Sequence, residues 1–130
     1  MSVIFTNGCF DIIHRGHLEL LRYCKEMGYV IVGLNSDNSV KTLKGEDRPI
    51  HAEADRRFLL ESLKYVDEVI IFDSPTPYDL IKEIKPDIII KGGDYEPNDV
   101  VGADLCEVRI FKTINGYSTT KTVESINNRR

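Results

Sequence analysis

Two histidines and two glycines near the start of the chain are the residues best suited to chemistry. His14 and His17 are three positions apart, so they lie on one face of a helix that begins at or just before His14. Two imidazoles in that place can both donate to one phosphate group. Gly8 and Gly16 have no Cβ, so each allows a turn or the close approach of a ligand to the main chain. The pattern indicates an anion site suited to phosphate.

The residues from Thr6 to His17 join a predicted strand to a predicted helix. A short apolar run, residues 3–5, precedes them, and an amphipathic segment, residues 18–27, follows. Backbone N–H groups at a helix N-terminus lack partners within the helix and carry the positive end of the helix dipole. A strand, a glycine turn and a helix start in this order are therefore typical of phosphate binding in α/β proteins.

Further along the chain, continuous β-branched runs alternate with helical patterns. Such runs suit parallel strands that are covered on both faces. We therefore predict an α/β fold: a doubly wound, Rossmann-like, five-stranded parallel sheet with helices on both faces, in one domain spanning residues 1–130. Ligands of this fold bind at the carboxyl ends of the strands. The later strands are predicted at 29–34, 66–72, 87–90 and 107–111, and the later helices at 53–64, 77–84 and about 119–126.

Composition and charge restrict the class of ligand. The net charge is −4 and the pI is near 5.4, which argues against a nucleic-acid partner, because binding a phosphate backbone needs a field of Lys and Arg. We find no apolar run near the ~20 residues of a membrane span and no signal peptide, so a cytoplasmic location is expected. Cys9, Cys24 and Cys106 have no metal-ligand spacing and are expected to be reduced.

Four segments carry a resemblance to a known family. Thr6 to Asp11 followed by His14 to His17 resembles the phosphate-binding motif of the nucleotidylyltransferase superfamily, and residues 118–121 resemble its second motif. Nearly the whole chain is similar to the cytidylyltransferase-like branch. Within that branch, the segments 43–49 and 91–95 are most similar to heptose 1-phosphate adenylyltransferases, and glycerol-3-phosphate cytidylyltransferases are the next most similar group.

This resemblance implies a reaction and its partners. A nucleotidyl group would pass from an NTP, ATP in preference to CTP, to a small phosphorylated acceptor such as heptose 1-phosphate, with release of pyrophosphate. The acceptor's phosphate oxygen would attack the α-phosphorus directly, so alignment and charge stabilisation provide the catalysis. Mg²⁺ is expected with the triphosphate. A homodimer is also implied, as is a separate sugar kinase if heptose is the acceptor.

The resemblance also assigns roles to individual residues. His14 and His17 would be catalytic donors to the α- and β-phosphates, and Lys44 a catalytic cation that also binds the acceptor. Asp11 and Arg56 would contact the acceptor, and Asp11 would also orient an imidazole or a Mg²⁺ ion, although no metal ligand is certain. The residues expected to bind the nucleotide are Thr6, Asn7, Gly8, Cys9, Phe10, Gly16, Lys91, Gly93, Asp94, Ser118, Thr119 and Thr120.

Several alternatives remain open at this stage. The histidine pair could hold zinc or merely cap a helix, and the chain could be a non-catalytic nucleotide-binding module. The dinucleotide and P-loop glycine patterns are absent, which argues against dehydrogenases and P-loop NTPases. The choice of ATP over CTP depends on Lys64 and Thr113, which stand where related cytidylyltransferases carry arginines.

Overall fold

The structure, a computed structural model, describes residues 1–112. The second predicted motif, Ser118–Thr120, lies outside this range, as do Thr113 and the helix predicted near residues 119–126. Those predictions therefore stay predictions.

Five parallel strands form one sheet, as predicted. The strands are β1 (Val3–Gly8), β2 (Tyr29–Asn35), β3 (Glu68–Phe72), β4 (Ile88–Gly92) and β5 (Glu107–Phe111). Their order in the sheet is β3-β2-β1-β4-β5, with β1 in the centre. The chain first adds strands on one side of β1 and then crosses to the other side. The strand order therefore reverses between β1 and β4, which is where doubly wound sheets bind ligands.

Helices cover both faces of the sheet. They are α1 (Arg15–Met27), α2 (Asp37–Lys44), α3 (Glu53–Glu61) and α4 (Tyr78–Ile84), with a 3₁₀ turn at Pro97–Asp99. One apolar cluster joins Leu21 of α1 and Leu60 of α3 to one face of the sheet, and a second joins Ile81 of α4 to the other. Within residues 1–112, no helix is long and apolar enough to cross a bilayer.

The pairing of β1 opens a crevice at its carboxyl end. β1 pairs with β2 along its whole length, from Val3 opposite Tyr29 to Gly8 opposite Leu34. It pairs with β4 only at Ile4 and Phe5. Beyond Phe5 the strands β1 and β4 diverge, which leaves space between their ends.

The predicted elements differ from the observed ones mainly at their ends. α1 begins at Arg15, slightly later than the predicted start at or just before His14, so His14 is its N-cap residue. α3 ends at Glu61 rather than near residue 64, and β3 begins at Glu68 rather than at residue 66. α2 is not among the predicted helices, because its eight residues carry too few apolar side chains to show a helical period.

Candidate functional site

The two histidines together cap the N-terminus of α1. His14 is the N-cap residue, and its Nδ1 accepts from the backbone N–H of Gly16 at 3.1 Å. The Nδ1 of His17 accepts from the backbone N–H of His14, also at 3.1 Å. This is the reciprocal arrangement of a capping box, made with imidazoles in place of a hydroxyl and a carboxylate. The rings stack with their centroids 4.0 Å apart.

These bonds fix which ring nitrogen carries the proton. A neutral imidazole whose Nδ1 accepts a hydrogen bond must hold its proton on Nε2. Burial lowers the pKa of His14, and burial together with the nearby His14 and Lys44 lowers the pKa of His17 to about 4. Both rings are therefore neutral at pH 7. Each one therefore carries its N–H on Nε2.

The loop between β1 and α1 holds an unusual backbone. Phe10 and Ile12 have φ angles of 47° and 58°, in the left-handed region that non-glycine residues rarely adopt. Such conformations persist only where surrounding contacts impose them. The ring of Phe10 is buried and its centroid lies 5.2 Å from that of His17. A nucleotide could therefore meet Phe10 only through its main chain.

A pocket of about 480 Å³ lies beside this loop, at the carboxyl ends of the strands. Because side chains alternate between the faces of a strand, Asn7 shares the α4 face with Phe5, whereas Thr6 shares the α1 face with Ile4. The pocket lies on the α4 face, whereas α1 and its histidines lie on the other side of β1. It is lined by Asn7, Gly8, Cys9, Asn35, Leu43, Lys44, Pro75, Thr76, Pro77, Lys91, Tyr95, Asp99, Val100 and Val101.

Lys44 connects the pocket to the histidines. It is the last residue of α2 and lines the pocket, yet it is near enough to His17 to lower the pKa of that imidazole. Lys91, at the end of β4, lines the same pocket, and burial lowers its pKa. The pocket therefore carries two lysine side chains although the chain as a whole is acidic. An anion bound there would relieve the cost of burying Lys91.

Tyr95 forms one wall of the pocket. The Nζ of Lys91 lies 5.5 Å from the centre of its ring. Gly93 has a φ of 120°, and a Cβ at that position would come within 2.9 Å of Tyr95 Cε2. The ring therefore packs against the backbone of Gly93 and stays half-exposed, with 51% of its surface accessible. Asp94 is exposed and does not line the pocket, so its predicted contact with the nucleotide stays a prediction.

The carboxylate of Asp11 makes several contacts within the protein. Its carboxylate is 1% exposed and accepts from the backbone N–H of Ile50 at 2.7 Å and of His51 at 2.9 Å. Arg48 Nε lies 3.6 Å from the same carboxylate. These contacts fix Asp11 within the protein. Its predicted contacts with the acceptor and with a metal ion stay predictions. No three His, Cys, Asp or Glu side chains of residues 1–112 are grouped to hold a metal.

Arg56 likewise makes its contacts within the protein. It was predicted to bind the acceptor, but its side chain is fully buried in α3. Its guanidinium donates to the backbone carbonyls of His51, Cys9 and Asn35 and to the carboxylate of Asp37. Arg56 itself does not line the pocket, although its partners Cys9 and Asn35 do. Its predicted contact with the acceptor stays a prediction.

Three other predicted residues contribute in specific ways. The N–H of Gly16 already donates to Nδ1 of His14, and its predicted contact with the nucleotide stays a prediction. Thr6 is buried, and its Oγ1 has no hydrogen-bond partner within the described residues. Cys9 lines the pocket, and burial raises the pKa of its thiol. A protonated thiol is a poor nucleophile, in keeping with a reaction that needs none.

Sequence reasoning missed several pocket residues. Asn35 is the last residue of β2, Thr76 follows β3, and Tyr95 follows β4. Their position directly after predicted strands was the available signal, since those ends meet at one edge of a parallel sheet. Asn35 Nδ2 donates to Ser39 Oγ at 2.9 Å, which fixes its side chain at the pocket floor.

The sequence of this chain is similar to those of known proteins. Residues 5–125 match the model of the cytidylyltransferase-like family. The chain is 57% identical over 124 residues to the bifunctional protein HldE of a Nitratiruptor species, and 51% identical over 127 residues to that of Helicobacter pylori. The matches cover 94% and 96% of this chain but 27% of each relative. The chain thus spans about a quarter of the length of these relatives.

A solved structure shares the fold. The crystal structure of the lipopolysaccharide core biosynthesis protein from Thermoplasma volcanium superposes with a TM-score of 0.73 at 28% identity. The superposition covers 91% of this chain and 99% of that one. The family and the fold that the sequence motifs indicated are thereby confirmed.

Proposed function

The chain belongs to the cytidylyltransferase-like family, and we propose that it transfers the nucleotidyl group of ATP to heptose 1-phosphate, releasing pyrophosphate. The observation that carries this proposal is the pair of neutral imidazoles at the start of α1, each with its proton on Nε2. Two fixed donors close together suit the α- and β-phosphates of a nucleotide. Hydrogen-bond donors held in place before the reaction need no reorganisation during it.

The chemistry needs no covalent intermediate with the protein. A phosphate oxygen of the acceptor forms a bond to the α-phosphorus while the bond from that phosphorus to the bridging β-oxygen breaks. Pyrophosphate leaves with the electron pair. The Nε2–H groups of His14 and His17 donate to the α-phosphate oxygens and to the leaving oxygen. Lys44, which lies between the histidines and the pocket, neutralises charge on the attacking phosphate.

The pocket on the α4 face suits the acceptor better than the nucleotide. The histidines, which hold the triphosphate, stand on the other side of β1, and Lys44 borders both regions. We therefore assign Lys91, predicted from the resemblance to bind the nucleotide, to the acceptor's phosphate together with Lys44. Polar side chains of Asn7, Asn35 and Thr76 can then bond to sugar hydroxyls.

The choice of a heptose phosphate draws on the relatives as well as on the pocket. The segments 43–49 and 91–95 resemble heptose 1-phosphate adenylyltransferases, and both contribute pocket residues: Leu43, Lys44, Lys91 and Tyr95. The solved relative is described as a lipopolysaccharide core biosynthesis protein, a role in keeping with a sugar phosphate acceptor. Lys64, by contrast, lies outside the pocket with its Nζ 5.3 Å from the Tyr65 ring, so it gives no support to the choice of ATP.

We propose that Mg²⁺ binds together with the nucleotide. The described residues offer no group of three acidic, histidine or cysteine ligands, and the carboxylate of Asp11 is held by backbone amides. Mg²⁺ commonly keeps several waters and binds mainly through substrate phosphates. It would supply charge neutralisation on the triphosphate, without a cage of protein ligands.

Further elements of the proposal concern location and partners. The reaction consumes a sugar phosphate, so a sugar kinase must act before it. We place the enzyme in the cytoplasm, where ATP is supplied. We also propose a homodimer, supported by exposed apolar side chains on consecutive elements: Leu43, Ile50, Phe58 and Leu59. Sedimentation of a monomer at micromolar concentration would contradict the dimer.

The reaction class is tested by a pyrophosphate-release screen. Each of the four NTPs is offered with heptose 1-phosphate, with glycerol 3-phosphate and with no acceptor. We expect release only when an acceptor is present, and most with ATP and the heptose phosphate. If no combination releases pyrophosphate while NTPs still bind, the chain is a nucleotide-binding module and the proposed reaction is wrong.

A further inference from the structure

Two segments on either side of the site are held together by buried polar contacts. We call residues 9–14, which lead from β1 into α1, the histidine loop, and residues 45–52, which follow α2, the lysine loop. Lys44 directly precedes the lysine loop, and His14 ends the histidine loop. The relative position of these loops sets the distance between the imidazole donors and the lysine cation.

Asp11 forms the first connection between the loops. It belongs to the histidine loop, and its two carboxylate oxygens accept from the backbone N–H groups of Ile50 and His51 in the lysine loop at 2.7 and 2.9 Å. Arg48, also in the lysine loop, approaches to 3.6 Å and neutralises the buried charge. A carboxylate bonded to two amides and paired with a guanidinium makes strong, directional contacts.

Arg56 forms the second connection. Its Nη1 donates to the carbonyls of Cys9 in the histidine loop and Asn35 at the end of β2, at 2.7 and 2.8 Å. Its Nε donates to the carbonyl of His51 at 2.9 Å, and its Nη2 bonds to Asp37 at the start of α2 at 2.8 Å. One side chain therefore joins both loops to the start of the helix that carries Lys44.

The backbone beside Asp11 shows that the histidine loop is constrained. Phe10 and Ile12, on either side of Asp11, both have positive φ angles. Ile12 is β-branched, for which this region is a true outlier. Residues in such conformations concentrate at functional sites, and the surrounding contacts must impose them. The bonds of Asp11 to Ile50 and His51 are contacts of this kind.

We propose that Asp11 and Arg56 are positioning residues that hold the histidine loop against the lysine loop, and so align the acceptor phosphate with the nucleotide. This inference rests on the proposed function. In this role each residue acts through the backbone of the loops it joins. Asp11 in particular is a connection between loops and not a magnesium ligand.

The test compares Asp11→Asn with Asp47→Asn. Asp47 is an exposed carboxylate in the lysine loop itself, so it controls for loss of charge there. Amide hydrogen exchange is measured across residues 45–52, and kcat, KM and the magnesium requirement are measured with ATP and heptose 1-phosphate. We expect Asp11→Asn to speed exchange in the lysine loop and to lower kcat by about 10²-fold, since small misplacements of reacting groups cost that much. The magnesium requirement should not change.

A second pair of variants covers Arg56. Arg56→Lys keeps the charge but loses the guanidinium, which bonds to several carbonyls at once. Arg57→Lys is the matched control, because Arg57 is the exposed neighbour of Arg56 and pairs only with Glu61 among the described residues. We expect the first variant to behave like Asp11→Asn and the second to behave like the wild type. Should Asp11→Asn fail to fold, Ile50→Pro removes one donor to Asp11 while leaving the carboxylate intact, and the same exchange and rate changes are expected.

The possible results distinguish a failure of this inference from a failure of the proposed function. If the wild type releases no pyrophosphate, the proposed reaction fails, and the positioning role fails with it whatever the exchange data show. If the wild type is active, unchanged exchange and kcat in Asp11→Asn overturn the inference. A raised magnesium requirement with unchanged exchange overturns it too, because Asp11 would then be a metal ligand.

Discussion

The Nδ1 of His17 accepts a hydrogen bond from the backbone N–H of His14 at 3.1 Å, while the ring of His14 caps Gly16. In each histidine, Nδ1 therefore accepts a hydrogen bond from the helix backbone, and Nε2 carries the proton. Structure and chemistry are combined in the same two side chains. An alanine substitution would remove both at once, so it cannot separate catalysis from helix capping.

Substitutions that keep the cap can separate them. Asn is a favoured N-cap residue and Gln is favoured three positions later, so His14→Asn and His17→Gln should preserve α1. Each loses one imidazole donor, which should lower turnover by about 10² to 10³. Circular dichroism should show an unchanged fold. Turnover at the wild-type rate in either variant would show that the imidazoles are only caps.

The depressed pKa of His17 predicts how stability depends on pH. In the unfolded chain this histidine takes up its proton near pH 6.5, whereas in the folded protein it does so only near pH 4. Between these values the unfolded state binds more protons, so stability should fall as the pH is lowered from about 6.5 towards 4. Urea unfolding at pH 7 and pH 5 measures this. In His17→Gln the drop should be smaller; an equal drop would contradict the assignment.

The two pocket lysines should matter more for the acceptor than for the nucleotide. Lys44→Ala and Lys91→Ala each remove a charged donor to the acceptor phosphate, worth about 1.5 to 3 kcal/mol, or roughly tenfold to a hundredfold in KM for the acceptor. Lys41→Ala is the matched control, because Lys41 lies one turn earlier in α2 and does not line the pocket. A rise confined to the KM for ATP would place Lys91 back in the nucleotide site.

Tyr95 should contribute through its ring rather than its hydroxyl. Its half-exposed ring lines the acceptor pocket beside Lys91, and an aromatic contact is worth about 0.5 to 1.5 kcal/mol. We expect Tyr95→Ala to raise the acceptor KM several-fold and Tyr95→Phe to leave it unchanged. Gly93→Ala should resemble the first variant, because the new Cβ would displace the ring. Equal effects of Tyr95→Ala and Tyr95→Phe would assign the contribution to the hydroxyl.

The strands and the histidine pair could be predicted because they depend on local patterns. Apolar runs mark buried parallel strands, and the spacing of His14 and His17 fixes their shared face. α2 was missed because the signals of a short helix, the cap Ser36 and the final Gly45, are weak without apolar periodicity. The roles of Asp11 and Arg56 depend on partners about 40 and 47 residues away in the sequence. No local pattern shows such contacts, so the part that these two residues play in joining the loops could not be predicted from the sequence.

The most direct test of the central claim is the ratio of kcat/KM for two substrate pairs, with the product identified by mass. We predict that ATP with heptose 1-phosphate gives ADP-heptose at least about tenfold more efficiently than CTP with glycerol 3-phosphate gives CDP-glycerol, the factor that corresponds to about 1.4 kcal/mol. A ratio in favour of CTP and glycerol 3-phosphate would contradict the substrate assignment, and no nucleotidyl product from either pair would contradict the reaction itself.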